Sequence, residues 1–113
     1  MVPEPRRPLS PTVLHILLAL AEGARHGYSI KQEAESRSEG AVRLGPGTLY
    51  EAIQRLQDAG LIRETSGDGE PVNGQEAQRR YYALTARGRR LLRAEVQQLG
   101  RLVDYARTRP ELA

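Results

Sequence analysis

Hydrophobic positions follow three different rhythms along this chain. From Thr12 to Ala21 (TVLHILLALA) nearly every side chain is apolar, with His15 the one interruption. A helix that is apolar all round has to be buried on two sides. In so short a chain the second side is expected to meet another subunit, which makes Val13, Leu14 and Leu17 candidate dimerisation residues. Ser10-Pro11, just ahead, is a good N-cap and first-turn pair.

The second rhythm begins at Pro46. Leu49, Ile53 and Leu56 are spaced by four and three, with Ala52 and Ala59 beside them. That predicts a helix with one buried stripe, ended by Gly60 in the C′ position. In the third rhythm Leu92, Val96, Leu99, Val103 and Ala106 step by four, three, four and three. They fall in a helix that Thr85 caps and that is expected to reach about Arg109, before Pro110. This is the heptad spacing of a coiled-coil seam, so all five are candidate dimerisation residues. A seam of about two heptads needs support, and the apolar first helix is the expected source.

Between these segments the pattern is weaker. Gly23–Gly27 makes a turn, and Tyr28–Ser36 (YSIKQEAES) a short, mostly polar helix. Val42-Arg43-Leu44 has the composition of a very short strand. Leu61–Thr65 (LIRET) and Arg79–Leu84 (RRYYAL) are β-prone runs joined by a long polar tip, which predicts a hairpin. Along the second run side chains alternate, and Tyr82 and Leu84 are expected to point inward. The order helix, helix, helix, hairpin, helix is that of a mainly α fold with a small β-hairpin. It is a winged helix-turn-helix with an added C-terminal dimerisation helix. The expected divisions are a flexible arm at 1–8, the winged domain at 9–84, the dimerisation helix at 85–109 and a tail at 110–113.

Composition narrows the chemistry. The 113 residues suffice for one small domain, and without Cys there are no disulfides or thiolate metal sites. No run of about 18 apolar residues exists, and MVPEPRRPLS lacks a signal-peptide core, so a soluble cytoplasmic protein with no membrane partner is expected. Net charge is +3, with a pI near 9.7. Residues 1–66 carry eight basic and eight acidic side chains, whereas 67–113 carry nine and six. Six arginines fall between Arg79 and Arg93, and for the last four a solvated helix face is the expected role. His15 and His26, with no carboxylate at ligand spacing, make a poor metal site, and neither a metal nor another cofactor is expected. No catalytic constellation is present. Leu44-Gly45-Pro46-Gly47 looks like a phosphate loop, but no lysine follows at P-loop spacing.

Several short motifs then combine. Leu17-Leu18, His26-Gly27-Tyr28, Gly47-Thr48-Leu49-Tyr50, Leu56 with Gly60-Leu61-Ile62, and Arg80-Tyr81-Tyr82-Ala83-Leu84-Thr85 with Gly88 occur in this order. In that order and spacing the chain resembles the PadR family of bacterial transcriptional regulators, over roughly residues 9 to 106. The resemblance implies a homodimer joined through its first and last helices. It implies a repressor bound to a pseudo-palindromic, double-stranded DNA operator, with a small-molecule effector at the dimer interface. Relatives often have Ser where this chain has Gly45, so the start of its recognition helix is expected to be looser. Some members stack planar aromatic compounds between their last helices. This chain has no Trp or Phe, so aliphatic walls with Tyr105, His15 or Asp104 are expected to do that work.

A recognition helix sends its first turns into the major groove. Opposite the Leu49/Ile53/Leu56 stripe lie Gly47, Thr48, Glu51, Gln54, Arg55 and Asp58, with Tyr50 to one side. Thr48 and the free amides at the helix start suit a phosphate oxygen, and Gly47 lets the backbone approach. Tyr50 can donate to phosphate, Gln54 can pair with adenine, Arg55 with guanine and Glu51 with a cytosine amino group. In the second helix Tyr28, Ser29 and Lys31 are candidate backbone contacts. At the hairpin base Arg63, Arg79 and Arg80 have the right sign, whereas the tip holds Asp68, Glu70 and Glu76. That acidic tip and the neutral first half favour the alternative, a winged helix used for protein–protein contact without specific DNA binding.

Overall fold

The structure, a computed structural model, describes residues 8–65 and 80–113. The expected arm, the wing tip and Arg79 therefore lie outside the described residues. Helix α1 (Pro11–Ala19) leads to strand β1 (Arg25–His26), helix α2 (Gly27–Arg37) and helix α3 (Pro46–Asp58). Strands β2 (Ile62–Thr65) and β3 (Tyr81–Leu84) follow, and then helix α4 (Ala86–Arg107). The three antiparallel strands lie in the order β1-β3-β2.

Two expectations for the middle of the chain are corrected. Val42-Arg43-Leu44 is not a strand; the third strand is Arg25–His26, whose residues pair with Tyr82 and Tyr81. Val42 and Leu44 are apolar because they plug the core from an irregular turn, at 6% and 0% exposure. A two-residue edge strand has no hydrophobic run to announce it. The hairpin proper pairs Ile62 with Leu84 and Thr65 with Tyr81. Tyr82 and Leu84 point inward as the alternation requires, and burial pushes the Tyr82 phenol pKa up, helped by the nearby charge of Glu64.

The core gathers Ile16, Leu17 and Leu20 of α1 and its C-cap, Ile30 of α2, the α3 stripe, and Ile62, Tyr82, Leu84 and Leu92. Each fully buried Leu or Ile there contributes roughly 1.5–3 kcal/mol. Leu17 has no exposed surface and Leu92 only 6%, so both belong to the chain's own core and have little to offer a partner. They are withdrawn from the expected dimer seam. Val13, Leu14 and Leu18 pack against the core only in part.

Helix ends follow their local chemistry. The Ser10 hydroxyl accepts from the Val13 amide at 3.2 Å, and His26 Nδ1 caps α2 by accepting from the Ser29 amide at 3.2 Å. Gly60, at φ +76°, ends α3: its amide donates to the Gln57 carbonyl while the Leu61 amide donates to that of Leu56. These are the paired bonds of a Schellman motif, which a left-handed residue makes possible.

Helix α4 starts against that turn. The Thr85 hydroxyl donates to the Gly60 carbonyl at 2.6 Å and accepts from the Gly88 amide at 3.0 Å. Gly88 is there for space, since a Cβ would stand 1.9 Å from the Leu61 carbonyl oxygen. In a free helix Gly88→Ala would stabilise by up to about 1 kcal/mol. Here we expect the opposite sign, a loss of roughly 1–3 kcal/mol from overpacking against backbone, read by thermal or urea unfolding. A neutral or stabilising result would show that the joint opens without cost.

Candidate nucleic-acid interface

The segment connecting α2 to α3 is held from below. Glu39 and Gly40 both take positive φ, at 54° and 83°, and turn the chain sharply. Ser38 Oγ then accepts from the Val42 amide at 2.9 Å, and Glu35 Oε2 accepts from the Leu44 amide at 2.8 Å. The other carboxylate oxygen of Glu35 meets Lys31 Nζ at 3.1 Å. Accepting the Leu44 amide, and then Lys31, lowers the Glu35 pKa below its ordinary 4.5. Glu35 thus positions the residue just before the recognition helix. Its place four residues after Lys31 was visible in sequence; its reach to Leu44 was not.

Helix α3 presents the face that its periodicity predicts. Leu49, Ile53 and Leu56 are buried, at 2%, 2% and 5% exposure. Gly47, Thr48, Glu51, Gln54, Arg55 and Asp58 are all exposed. Gly45 occupies the N-cap with extended backbone and no side-chain cap, and Pro46 opens the first turn. The amides of Gly47 and Thr48 therefore stand at an exposed helix start without a capping side chain. Backbone amides so placed, with the positive end of the helix dipole behind them, suit an anionic oxygen.

Two tyrosines, Tyr28 on α2 and Tyr50 on α3, are largely exposed, at 57% and 54%. The Tyr50 ring lies over the first residue of α2, where a Cβ on Gly27 would come within 3.1 Å of its hydroxyl oxygen. Tyr50 therefore both packs on the second helix and keeps half its surface for a ligand. Gln54 Nε2 donates to Asp58 Oδ1 at 3.0 Å, so its amide is engaged in the free protein. Thr48, Glu51 and Arg55 also rim a groove of about 250 Å³ between α3 and the start of α1. Val13 lines it too, which turns that residue toward the recognition helix.

Other expected contacts are placed differently. Ser29 is half-buried, and its hydroxyl accepts from Arg25 at 3.0 Å. Arg25 itself donates through Nε to the Ala19 carbonyl at 2.7 Å and lies 3.7 Å from Glu33. It ties the end of α1 to α2, a placement that no local pattern signals. Lys31 is only partly free, being paired with Glu35. On the sheet Arg63 is exposed, and Arg80 lies 3.7 Å from Glu64 with 73% of its side chain in solvent. At the far end of the molecule α4 leaves the core, and Val96, Leu99, Leu102 and Val103 are 38–54% exposed.

Three helices with a partly uncovered third, followed by a small antiparallel wing, define the winged helix-turn-helix class of fold. The model of the transcriptional regulator PadR-like family matches residues 16–94, and the chain belongs to that family. It is similar to a crystal structure of a PadR family transcription regulator from Clostridium difficile R20291. The TM-score is 0.70, at 22% identity over 88% of this chain and 97% of that one. Bacillus subtilis PadR, solved in complex with operator DNA, aligns with a TM-score of 0.63 at 21% identity over 80% and 49% of the two chains. Both likenesses are of fold. A 37.1 kDa protein of transposon Tn4556 from Streptomyces fradiae is 39% identical over 77% of this chain, which spans only 22% of that protein. Among the described residues no helix is long and apolar enough to cross a membrane.

Glu35 gives a pH test of how α3 is positioned. Its folded pKa is depressed, so the stability it contributes is present above the unfolded value near 4.5 and is lost as pH falls through the lower folded value. Wild type should exceed Glu35→Gln in unfolding free energy at pH 7. That gap should hold to about pH 5 and shrink below it. A gap constant down to pH 3 would remove the carboxylate from this role. Gly45→Ser should add the missing cap, raise stability by a few tenths of a kcal/mol and slow amide exchange at Gly47 and Thr48.

Proposed function

We propose that the protein is a homodimeric repressor whose two α3 helices read a pseudo-palindromic operator. The observation that carries this reading is the exposed, uncapped start of α3, with the half-exposed Tyr50 in its first turns and its Leu49, Ile53 and Leu56 stripe buried in the core. Gly47, Thr48 and Tyr50 hold a phosphate, while Glu51, Gln54 and Arg55 face base edges. Tyr28 and Lys31 from α2, and Arg63 and Arg80 at the base of the wing, add backbone contacts. B. subtilis PadR, of the same fold, was captured on its operator.

Dimerisation is supported by the apolar side chains that α4 leaves uncovered. Val96, Leu99 and Val103 with Ala106 continue the heptad seam beyond the core, and a second copy would cover them. A cavity of about 330 Å³ lies on this side of α4, lined by Pro8, Glu95, Gln98, Leu99 and Leu102. We place the effector there, against aliphatic walls, where it would act on the dimer and release the operator.

Two measurements test this. In gel shifts against its own promoter region, wild type should bind at low salt, and Tyr50→Ala and Arg55→Ala should each weaken binding about tenfold to a hundredfold without altering the dimer. Absence of a shift on any duplex at low salt would instead favour a protein-interaction module. Leu99→Asp should give monomers by light scattering, and an unchanged dimer would refute the seam.

A further inference from the structure

The first two turns of α4 carry Arg87, Arg89, Arg90 and Arg93, all exposed. Among the described residues several other bases do meet an acid: Lys31 with Glu35, Arg37 with Glu33, Arg25 with Glu33 and Glu22, Arg80 with Glu64. Among the described residues the side chains of these four make no ion pair or hydrogen bond. The first turn holds no acid, and the positions four residues on are Leu91, Arg93, Ala94 and Gln97. Cations at a helix start oppose its dipole, and Arg89 and Arg93 repel as an i,i+4 pair. In the free protein this arrangement is electrostatically unfavourable, and an external polyanion relieves it.

The face is also bare of apolar anchors. Gly88, Leu92 and Glu95 point into the protein, and the arginines occupy the opposite arc. Stable protein interfaces centre on buried aromatic or aliphatic residues, which this arc lacks, so charge complementarity favours phosphate over a protein surface. Its location separates it from the recognition face. The N-cap of α4, Thr85, is bonded to Gly60 just past the C-terminal end of α3, so about 20 Å of α3 separates the start of α4 from Gly47.

We propose that this arginine face binds the phosphate backbone of a second stretch of duplex DNA, without reading its sequence, while α3 holds the operator. The proposal rests on the DNA-binding reading above. Its test loads the full chain onto an immobilised duplex from its own promoter region and offers a labelled, unrelated duplex in solution. Wild type should capture the second duplex at low salt and lose it as salt rises. The triple variant Arg89→Gln, Arg90→Gln and Arg93→Gln should keep operator affinity within about twofold yet capture at least about tenfold less. Its log K for the unrelated duplex should fall less steeply with log salt, by about 0.9 for each phosphate contact removed. The corresponding triple lysine variant should retain capture, since charge suffices. Operator-bound wild type that captures no second duplex, or a glutamine variant that captures as well, overturns the proposal. A face that takes soluble polyglutamate and refuses duplex also overturns it. Failure of the promoter duplex to retain any protein defeats the DNA-binding reading, and this proposal with it.

Discussion

One residue, Thr85, ties the end of the third helix to the start of the long last helix. Thr85 donates to the carbonyl of Gly60, where α3 ends, and accepts the amide of Gly88, where α4 begins, while its own amide donates to the Leu61 carbonyl. The side chain thereby satisfies groups that two helix termini would otherwise leave open. Gly88 lets the backbones approach to a distance that no other residue permits. The orientation of α4 is therefore referred to the end of α3 through backbone atoms, which have less freedom than side chains.

A second, softer constraint sets the other end of α3. The Glu35 carboxylate holds the Leu44 amide from one side, and the buried Val42 and Leu44 side chains hold the turn from within. The helix is thus tightly fixed at its C-terminus and left open at its N-terminus, where Gly45 supplies no cap. The open end is the one that the proposed DNA contact would use, where a phosphate oxygen would complete it.

Much of this was legible in the sequence for identifiable reasons. Leu49, Ile53 and Leu56 announce α3 because only one helical face is buried; Gly60 marks its end because a left-handed residue is required there. Tyr82 and Leu84 follow from alternation alone. Relations between segments remote along the chain were not legible. Strand β1 is two residues long and is defined by its partner, Arg25 by a carbonyl six residues back, and Glu35 by an amide nine residues on. Heptad spacing suggested one continuous seam in α4, but periodicity cannot tell intrachain from interchain burial. Leu92 sits inside the domain, while Val96 and the residues after it stand clear of it.

The pairing of Gln54 with Asp58 bears on how tolerant the proposed operator would be. A polar reader buried without an internal partner punishes a wrong base heavily, because it is left unsatisfied. Gln54 has Asp58 to return to. At an unsuitable base it would lose only the new contact, and the penalty for a mismatch would stay small. Operators could then drift at that position while keeping their regulator, with sequence stringency falling on neighbours such as Arg55 that have no such refuge.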